Sequence, residues 1–356
     1  MISRLDRYVA RTFLSSWLVS AVFFIGLFGV LKFFGNLGNL IERGLGDDML
    51  GNLGLYYLYQ LPTIVITVAP FVMLMAALFT VTRLQRHNEF MAMLLTGRSS
   101  RRVVGPIVVL SVVFIAGLIW VQEVAAPATA VAKLELEANL NSSDGALVLD
   151  EVKALDSDGR LFVATGYHVE EERIERLYVS YADGVGRQIN IEGTDAIHDA
   201  DAGGWRVRDG VSEVHNPDER EPEAEDVAFV PTDLQPEDLL VGYLQEFELS
   251  YQEILERAER YPNKNMYRLR KHYHFTYPLS IFLLVLLGLP FVLRTQSSSR
   301  WMGPAISFGI CVVFMLVDVN LRMLGRDGVI SPVLAAWLPV VVAGSLAFVL
   351  MDAVES

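Results

Sequence analysis

The sequence predicts a polytopic α-helical membrane protein with six transmembrane helices, arranged as three plus three, and an inserted antiparallel β domain. Three observations predict this architecture. The 356 residues are 52% hydrophobic with a mean hydropathy of +0.36, which is too apolar for an ordinary soluble domain. Six long apolar runs are separated by polar segments. The segment 125–262 carries 11 basic and 32 acidic residues, a net charge of −21, which leaves 18 basic and 10 acidic residues, or +8, for the remainder.

Each apolar run is long enough to cross a hydrocarbon core of about 30 Å as a helix. The runs are 13–34, 55–82, 103–124, 275–293, 301–321 and 329–351. The first run is expected to stay in the protein as an uncleaved span. Pro62 and Pro70 fall inside the second run, where a membrane helix tolerates them. The Gly- and Asn-rich stretch 36–54 is expected to form a short outer loop.

The distribution of Lys and Arg predicts the orientation of the spans. The N-terminus, the loop 83–102 and the loop 294–300 are rich in arginine, so these segments are expected to be cytoplasmic. Both chain ends are then cytoplasmic, and the insertion after the third span lies outside. The domains are accordingly expected at 1–124, 125–262 and 263–356.

The hydrophobic period changes to two within the insertion, which indicates β-strands separated by polar turns. Strands are predicted at 146–153, 160–169, 173–181, 187–197 and 205–214. Regular short strands of this kind favour an antiparallel sandwich or a jelly roll. The stretch 216–226 is predicted to be an acidic loop, and 250–260 an amphipathic helix that leads back to the membrane.

A short helix is predicted within the basic loop between the second and third spans, at about 88–97. Asn88 is a suitable N-cap, Glu89 lies in the first turn where the helix dipole favours a carboxylate, and Gly97 is a suitable C-terminal residue. Phe90, Met93 and Leu94 share one helical face. The helix is either a simple connector between two spans or a docking element for a cytoplasmic partner.

Charged residues at the ends of the spans are the other candidate functional groups. Lys32 either contacts an anionic lipid headgroup or extends to the membrane interface. Asp318 and Arg322 are spaced i, i+4 and are expected to form an intramembrane ion pair. The cluster from Arg268 to Lys271 either binds lipid phosphates or anchors the helix at the interface.

The sequence contains no motif for catalysis or for binding ATP. It lacks a G-x-x-x-x-G-K-[ST] phosphate loop, an H-E-x-x-H zinc motif and a G-x-S-x-G nucleophile elbow. We therefore expect a protein that is not an enzyme, with no catalytic residues, no metal, no cofactor and no nucleic-acid partner. A membrane-anchored ligand-binding or signalling module remains the alternative to a transport subunit.

Several motifs together resemble the lipopolysaccharide-export permeases LptF and LptG, also called YjgP and YjgQ. They are L-D-R-Y-V-A-R-T-F at the start, P-F-V-M-L-M-A-A-L from Pro70, R-x-N-E-x-x-A-M-x-x-x-G in the basic loop and G-L-P-F at the end of the fourth span. The L-D-R-Y opening and the position of Lys32 are more similar to LptG. The resemblance implies an inner-membrane permease that pairs with a second, related permease. It also implies a cytoplasmic ATPase dimer that binds the ATP, a periplasmic bridge protein, and a β-jellyroll domain that receives lipopolysaccharide.

The resemblance also implies roles for individual residues. Glu89 matches the glutamate of the family's coupling helix, which docks on the ATPase, and Lys32 matches the basic residue that faces lipid phosphates. The expected docking set is Glu89, Phe90, Met93, Leu94 and the adjacent Arg86. The expected headgroup set is Lys32, Arg43, Arg268 and Lys271.

Overall fold

A computed structural model of the chain describes residues 4–42, 49–141, 148–156, 158–183, 187–215, 223–244, 247–262, 264–294 and 302–352. Ten α-helices occur in this part of the chain: α1 Arg4–Glu42, α2 Met49–Arg86, α3 Glu89–Leu95, α4 Ser100–Trp120, α5 Ala126–Asn141, α6 Pro236–Tyr243, α7 Tyr251–Arg260, α8 Asn265–Arg294, α9 Met302–Arg326 and α10 Pro332–Asp352. A π-helical turn, Val121–Ala125, joins α4 to α5.

Within the described residues, six helical segments are long and apolar enough to cross a membrane, as the hydropathy pattern predicted. They are Arg4–Gly35, Gly51–Arg86, Ser100–Leu134, Asn265–Leu293, Pro304–Arg326 and Pro332–Asp352. The stretch 36–54, predicted to be a loop, is helical at 36–42 and at 49–54, so that prediction is wrong for these residues. Each glycine costs a helix interior about 1 kcal/mol and asparagine less, and here both long helices continue through these residues.

The chain divides into two compact units, which we describe separately. One comprises Met1–Leu37, Gln60–Pro127 and Ser250–Ser356, and contains most of the length of the apolar helices. Its most extensively packed helices are α2 and α8, whose apolar windows are each 72% buried, whereas the corresponding window of α1 is 11% buried. The first unit thus has a central pair of buried helices and leaves much apolar surface on α1 exposed.

The second unit comprises Gly38–Tyr59 and Ala128–Leu249, and its centre is a six-stranded antiparallel sheet. The strands are β1 Val148–Leu155, β2 Leu161–His168, β3 Arg173–Ala182, β4 Gln188–Asp199, β5 Gly204–His215 and β6 Glu223–Pro231. They pair in sequence order, as a meander. This order differs from the Greek-key order of a jelly roll, although the antiparallel sheet itself was predicted.

The apolar side chains of the sheet form a closed core with α6. Trp205, Tyr167 and Phe162 are almost fully buried, and Leu239 of α6 packs into the same cluster. All five predicted strands are present. The sixth, β6, includes residues 223–226 that were predicted to be loop, because their acidic side chains hide the strand pattern. Val230 is buried and Val227 is partly buried against the core, whereas residues 224–226 are all exposed and show no alternation.

A buried ion pair in the second unit joins residues near the start and the end of its segment Ala128–Leu249. Nζ of Lys133 on α5 lies 2.8 Å from Oε1 of Glu248, and the two side chains are only 4% and 2% exposed. Two charges removed from water in this way must remain paired, because an unpaired buried charge is strongly destabilising. Beyond this point, the predicted amphipathic helix is confirmed as α7, which begins with a capping box between Ser250 and Glu253.

Candidate functional site

The predicted short helix of the basic loop is α3. The prediction for its first end is wrong, and the prediction for its last end is confirmed. Asn88 precedes α3 in the left-handed conformation, with φ of 57°, and its side chain makes no capping hydrogen bond. The predicted N-cap interaction is therefore wrong, because it requires an extended backbone at that residue. Gly97 has φ of 81° and donates its backbone N–H to the carbonyl of Leu94, which confirms it as the residue that ends the helix.

The side chain of Glu89 is bound to α1. The hydroxyl of Tyr8 lies 2.8 Å from Oε2 and 3.0 Å from Oε1 of Glu89, so it donates a hydrogen bond that the two carboxylate oxygens share. A second link lies just beyond the other end of α3, where Nη1 of Arg98 donates to Oδ1 of Asp6 at 2.9 Å. The start of α1 therefore holds α3 at both of its ends.

The apolar face of α3 packs against the chain itself. Phe90 and Met93 are buried, and Leu94 is half-buried. The exposed apolar side chains are instead Met91 and Leu95, of which Leu95 is 82% exposed. Helical periodicity correctly identified the apolar face of α3. That face is buried against other residues of the same chain, and a second, smaller apolar face is exposed.

Arg86 lies at the end of α2 and lines a cleft between α1 and α2. The cleft has a volume of about 470 Å³ and is lined by Ser15, Ser16, Val19, Phe79, Thr82, Arg83, Arg86 and His87. Arg86 therefore lines a cleft together with Arg83, and it also closely precedes α3 in the sequence.

The headgroup residues predicted from the sequence lie on different helices. Lys32 is half-buried and lies within the apolar segment of α1, close to the end opposite to Arg4. Arg268 is exposed and Lys271 is half-buried, one turn apart at the start of α8. Arg43 lies outside the described residues. The sequence spacing brings Arg268 and Lys271 together, whereas it gives no indication of how Lys32 relates to them.

Asp318 and Arg322 are in contact on α9, with Nε of Arg322 3.2 Å from Oδ2 of Asp318. The hydroxyl of Tyr273 on α8 donates to the same carboxylate oxygen at 3.1 Å. The Arg322 guanidinium also lies over the Tyr273 ring, 4.4 Å from its centroid. Sequence reasoning missed Tyr273, because the tyrosine is 45 positions from Asp318. It also placed the pair at the outer end of its span, whereas α9 continues beyond it to Arg326.

A second polar cluster, which the sequence did not indicate, surrounds His274 on α8. Its Nε2 lies 3.1 Å from Oε2 of Glu123, and its Nδ1 lies 3.1 Å from Nε2 of Gln122. Because the Gln122 amide donates, this pattern fits an imidazole that accepts at Nδ1 and donates from Nε2. The backbone N–H of Tyr251 also donates to Glu123, at 3.2 Å. Gln122 and Glu123 belong to the π-helical turn, and such turns often occur at functional positions.

None of these clusters has the composition of a metal site. In the part of the chain that the structure describes, no group of three or more His, Cys, Asp or Glu side chains is arranged to hold a metal ion. The clusters instead combine a carboxylate with a hydroxyl, an imidazole or a guanidinium. Such pairings position helices relative to one another and bind charged groups.

Comparison with known protein families assigns the chain. The family described as the lipopolysaccharide export system permease LptF/LptG matches residues 7–352, which is nearly the whole chain and covers both units. No individual curated protein matches the chain. The matching family consists of transport permease subunits, and with the six apolar helices this makes the protein a multi-pass protein of the inner membrane. The chain therefore belongs to the LptF/LptG family of lipopolysaccharide-export permeases, whose two branches this match does not separate.

Proposed function

We propose that this chain is the permease subunit of an ABC transporter that extracts lipopolysaccharide, or a similar glycolipid, from the inner membrane and passes it to a periplasmic bridge protein. A cytoplasmic ATPase dimer supplies the energy, and a second, related permease completes the membrane part. The family membership, the six spans and the inserted antiparallel sheet support this assignment.

The observation that carries the proposal is the way α3 is held and what it exposes. Tyr8 and Asp6 of α1 bind Glu89 and Arg98 at the two ends of α3. Met91 and Leu95 face outward, as an apolar surface on a helix of only seven residues. An exposed apolar surface next to several arginines suits a protein partner. A partner that moves α3 also moves the start of α1, so this linkage transmits motion to the membrane.

The docking surface thus consists of Met91 and Leu95 with Glu89 beside them. Phe90, Met93 and Leu94 support it from beneath by fixing the helix to the chain. Arg86 adds positive charge at its border. Of the docking residues expected from the sequence, Glu89 and Arg86 thus remain at the surface and Phe90, Met93 and Leu94 hold α3 in place, whereas Met91 and Leu95 are added as contacts.

The orientation follows from the arginines. Arg4, Arg7 and Arg11 in the first turns of α1 support a cytoplasmic location for the N-terminus and for α3. The sheet follows three spans later and is therefore periplasmic. There the six-stranded meander acts as the domain that receives the lipid. Lys32 lies toward the periplasmic end of α1 and, with Arg43, Arg268 and Lys271, contacts the phosphates of the lipid.

The L-D-R-Y opening and the position of Lys32 are more similar to LptG, and they support the proposal that an LptF-like permease is the partner of this chain. Affinity purification of the chain from its native membrane tests this pairing. We expect two other proteins, one related permease and one ATPase. Recovery of a complex that contains only copies of this chain would contradict it.

The docking assignment is tested by replacing Leu95 with glutamate. Leu95→Glu should reduce the amount of copurified ATPase by about tenfold, because a charge replaces an apolar contact that is worth roughly 1.5 kcal/mol. Val329→Glu is the matched control, since Val329 is also a highly exposed apolar residue but lies in the turn between α9 and α10. If the ATPase copurifies equally with both variants, α3 does not dock it.

A further inference from the structure

The cleft between α1 and α2 is a binding site for a phosphate-bearing anion, and we propose that this anion is the headgroup of an anionic phospholipid of the surrounding membrane. This site is separate from the predicted contacts with the transported lipid, since Lys32, Arg268 and Lys271 do not line the cleft. Arg86 also borders the proposed docking surface, but the remaining residues of the cleft do not belong to that surface.

The charges that line the cleft favour an anionic ligand. Arg83 and Arg86 lie one turn apart on α2, and His87 follows them. Among the residues that the structure describes, no carboxylate forms an ion pair with either arginine. The nearby carboxylate of Glu89 does not line the cleft and accepts a hydrogen bond from Tyr8. The two guanidinium groups thus retain their charge and their hydrogen-bond donors for a ligand, and arginine pairs with phosphate in a bidentate manner.

The change from charged to apolar residues along the cleft favours a phospholipid over a free phosphate ion. Phe79, Thr82, Arg83 and Arg86 fall on one face of α2 at i, i+3, i+4 and i+7, and they face Ser15, Ser16 and Val19 of α1. The charged end and the apolar end of this face are therefore about 10 Å apart along the helix. On this face of α2, Thr82 lies between Phe79 and the arginines. A free phosphate ion uses only the charged end, whereas a phospholipid uses both, with its headgroup at the arginines and an acyl chain along Val19 and Phe79.

The position of the cleft in the chain also favours a phospholipid. It lies at the end of the apolar segments of α1 and α2 where the arginines begin, which is the depth at which headgroups lie. The face of α1 that forms one wall is poorly covered, since Val19 is 64% exposed. A lipid in the membrane plane can therefore enter the cleft from the side.

Native mass spectrometry of the full complex, extracted from bilayers that contain phosphatidylglycerol and phosphatidylcholine, tests the proposal. Arg83→Gln/Arg86→Gln should reduce the retained phosphatidylglycerol by about thirtyfold, because each basic residue near a headgroup contributes a factor of about five. Retention of phosphatidylcholine should not change. Arg83→Lys/Arg86→Lys keeps both charges and should retain most of the phosphatidylglycerol.

Arg7→Gln/Arg102→Gln is the matched control, since it removes two exposed arginines that do not line the cleft. An equal loss of phosphatidylglycerol in this control and in the cleft variant would overturn the proposal. Displacement of the bound phospholipid by millimolar inorganic phosphate would assign the cleft to a soluble anion and overturn the lipid assignment. If the cleft variant loses the ATPase but retains phosphatidylglycerol, the arginines bind a protein partner, which would also overturn it.

Discussion

The hydroxyl of Tyr8 donates a hydrogen bond to both carboxylate oxygens of Glu89, across 81 positions of sequence. Glu89 is thus held by a neighbouring helix before any partner binds, whereas the sequence suggested a favourable position at a helix start and a match to the docking glutamate of the family, but no contact with α1. A carboxylate held in this way has a fixed orientation. If α3 is the docking element, Tyr8 determines how that element is presented.

Replacing Tyr8 with phenylalanine tests this relationship. Tyr8→Phe keeps the ring but removes the hydrogen bond to Glu89, which is worth about 1 kcal/mol at a partly exposed site. We expect ATPase copurification to persist, because Met91 and Leu95 are unchanged, while glycolipid release per ATP hydrolysed falls several-fold. Tyr59→Phe is the control, since the Tyr59 hydroxyl makes no hydrogen bond within the described residues. Unchanged coupling in Tyr8→Phe would show that the link to α1 carries no motion.

Lys32→Glu tests the predicted headgroup contact on α1. The substitution reverses a charge that contributes roughly 1 kcal/mol near a headgroup. Lipid-stimulated ATP hydrolysis by the assembled transporter should therefore fall about tenfold or more, with basal hydrolysis little changed. Arg11→Glu, an exposed position toward the other end of α1, should leave the ratio of stimulated to basal hydrolysis as it is. An equal loss of both activities in Lys32→Glu would indicate a folding defect instead.

The buried pair of Lys133 and Glu248 predicts a clear pattern in a double-mutant cycle. Lys133→Met or Glu248→Leu alone should destabilise the second unit by about 3 kcal/mol, because each leaves one charge buried without its partner. The double variant should be less destabilised than either single variant, since neither charge remains. Thermal unfolding of the full chain in nanodiscs measures these differences. Additive losses in the double variant would contradict a direct interaction.

The cluster on α8 and α9 predicts graded effects. Asp318→Asn removes the charge that faces Arg322 and should lower the thermal stability of the full chain by about 2–4 kcal/mol. Tyr273→Phe removes a hydrogen bond but leaves the ring under the guanidinium, so its effect should be about 1 kcal/mol. The same order should appear in a melting experiment in nanodiscs. A larger loss from Tyr273→Phe than from Asp318→Asn would mean that the ion pair contributes little.

Local patterns in the sequence predicted those features of the fold that depend on neighbouring residues. The six spans follow from apolar runs longer than a bilayer requires, and five strands follow from alternation along each strand. The strand β6 escaped detection because its acidic start, which includes the exposed Glu225 and Asp226, resembles a loop more than an edge strand. The meander order also follows from no local pattern, because alternation reports which side of a strand is buried and not which strand lies beside it.

Among the candidate sites, contacts within one helix could be predicted from the sequence, and contacts between helices could not. The i, i+4 spacing was sufficient to bring Asp318 and Arg322 together, since both lie on one helix. Tyr8, Tyr273 and His274 could not be placed, because their partners come from other helices and only tertiary packing brings them into contact. Periodicity also marked Phe90 and Met93 as an apolar face, but it could not tell whether that face meets a partner or the chain itself.

The π-helical turn Val121–Ala125 sets the rotational phase of the helix at the point where it meets His274. A π-turn contains one residue more than an α-helical turn, and such a residue can be regarded as an insertion that the helix absorbs without breaking. Deleting Val121 would let the backbone close as a regular α-helix. It would also rotate Gln122 and Glu123 by about 100° relative to α4 and away from both imidazole nitrogens. A single residue with an apolar side chain thus determines whether this histidine is hydrogen-bonded on both sides.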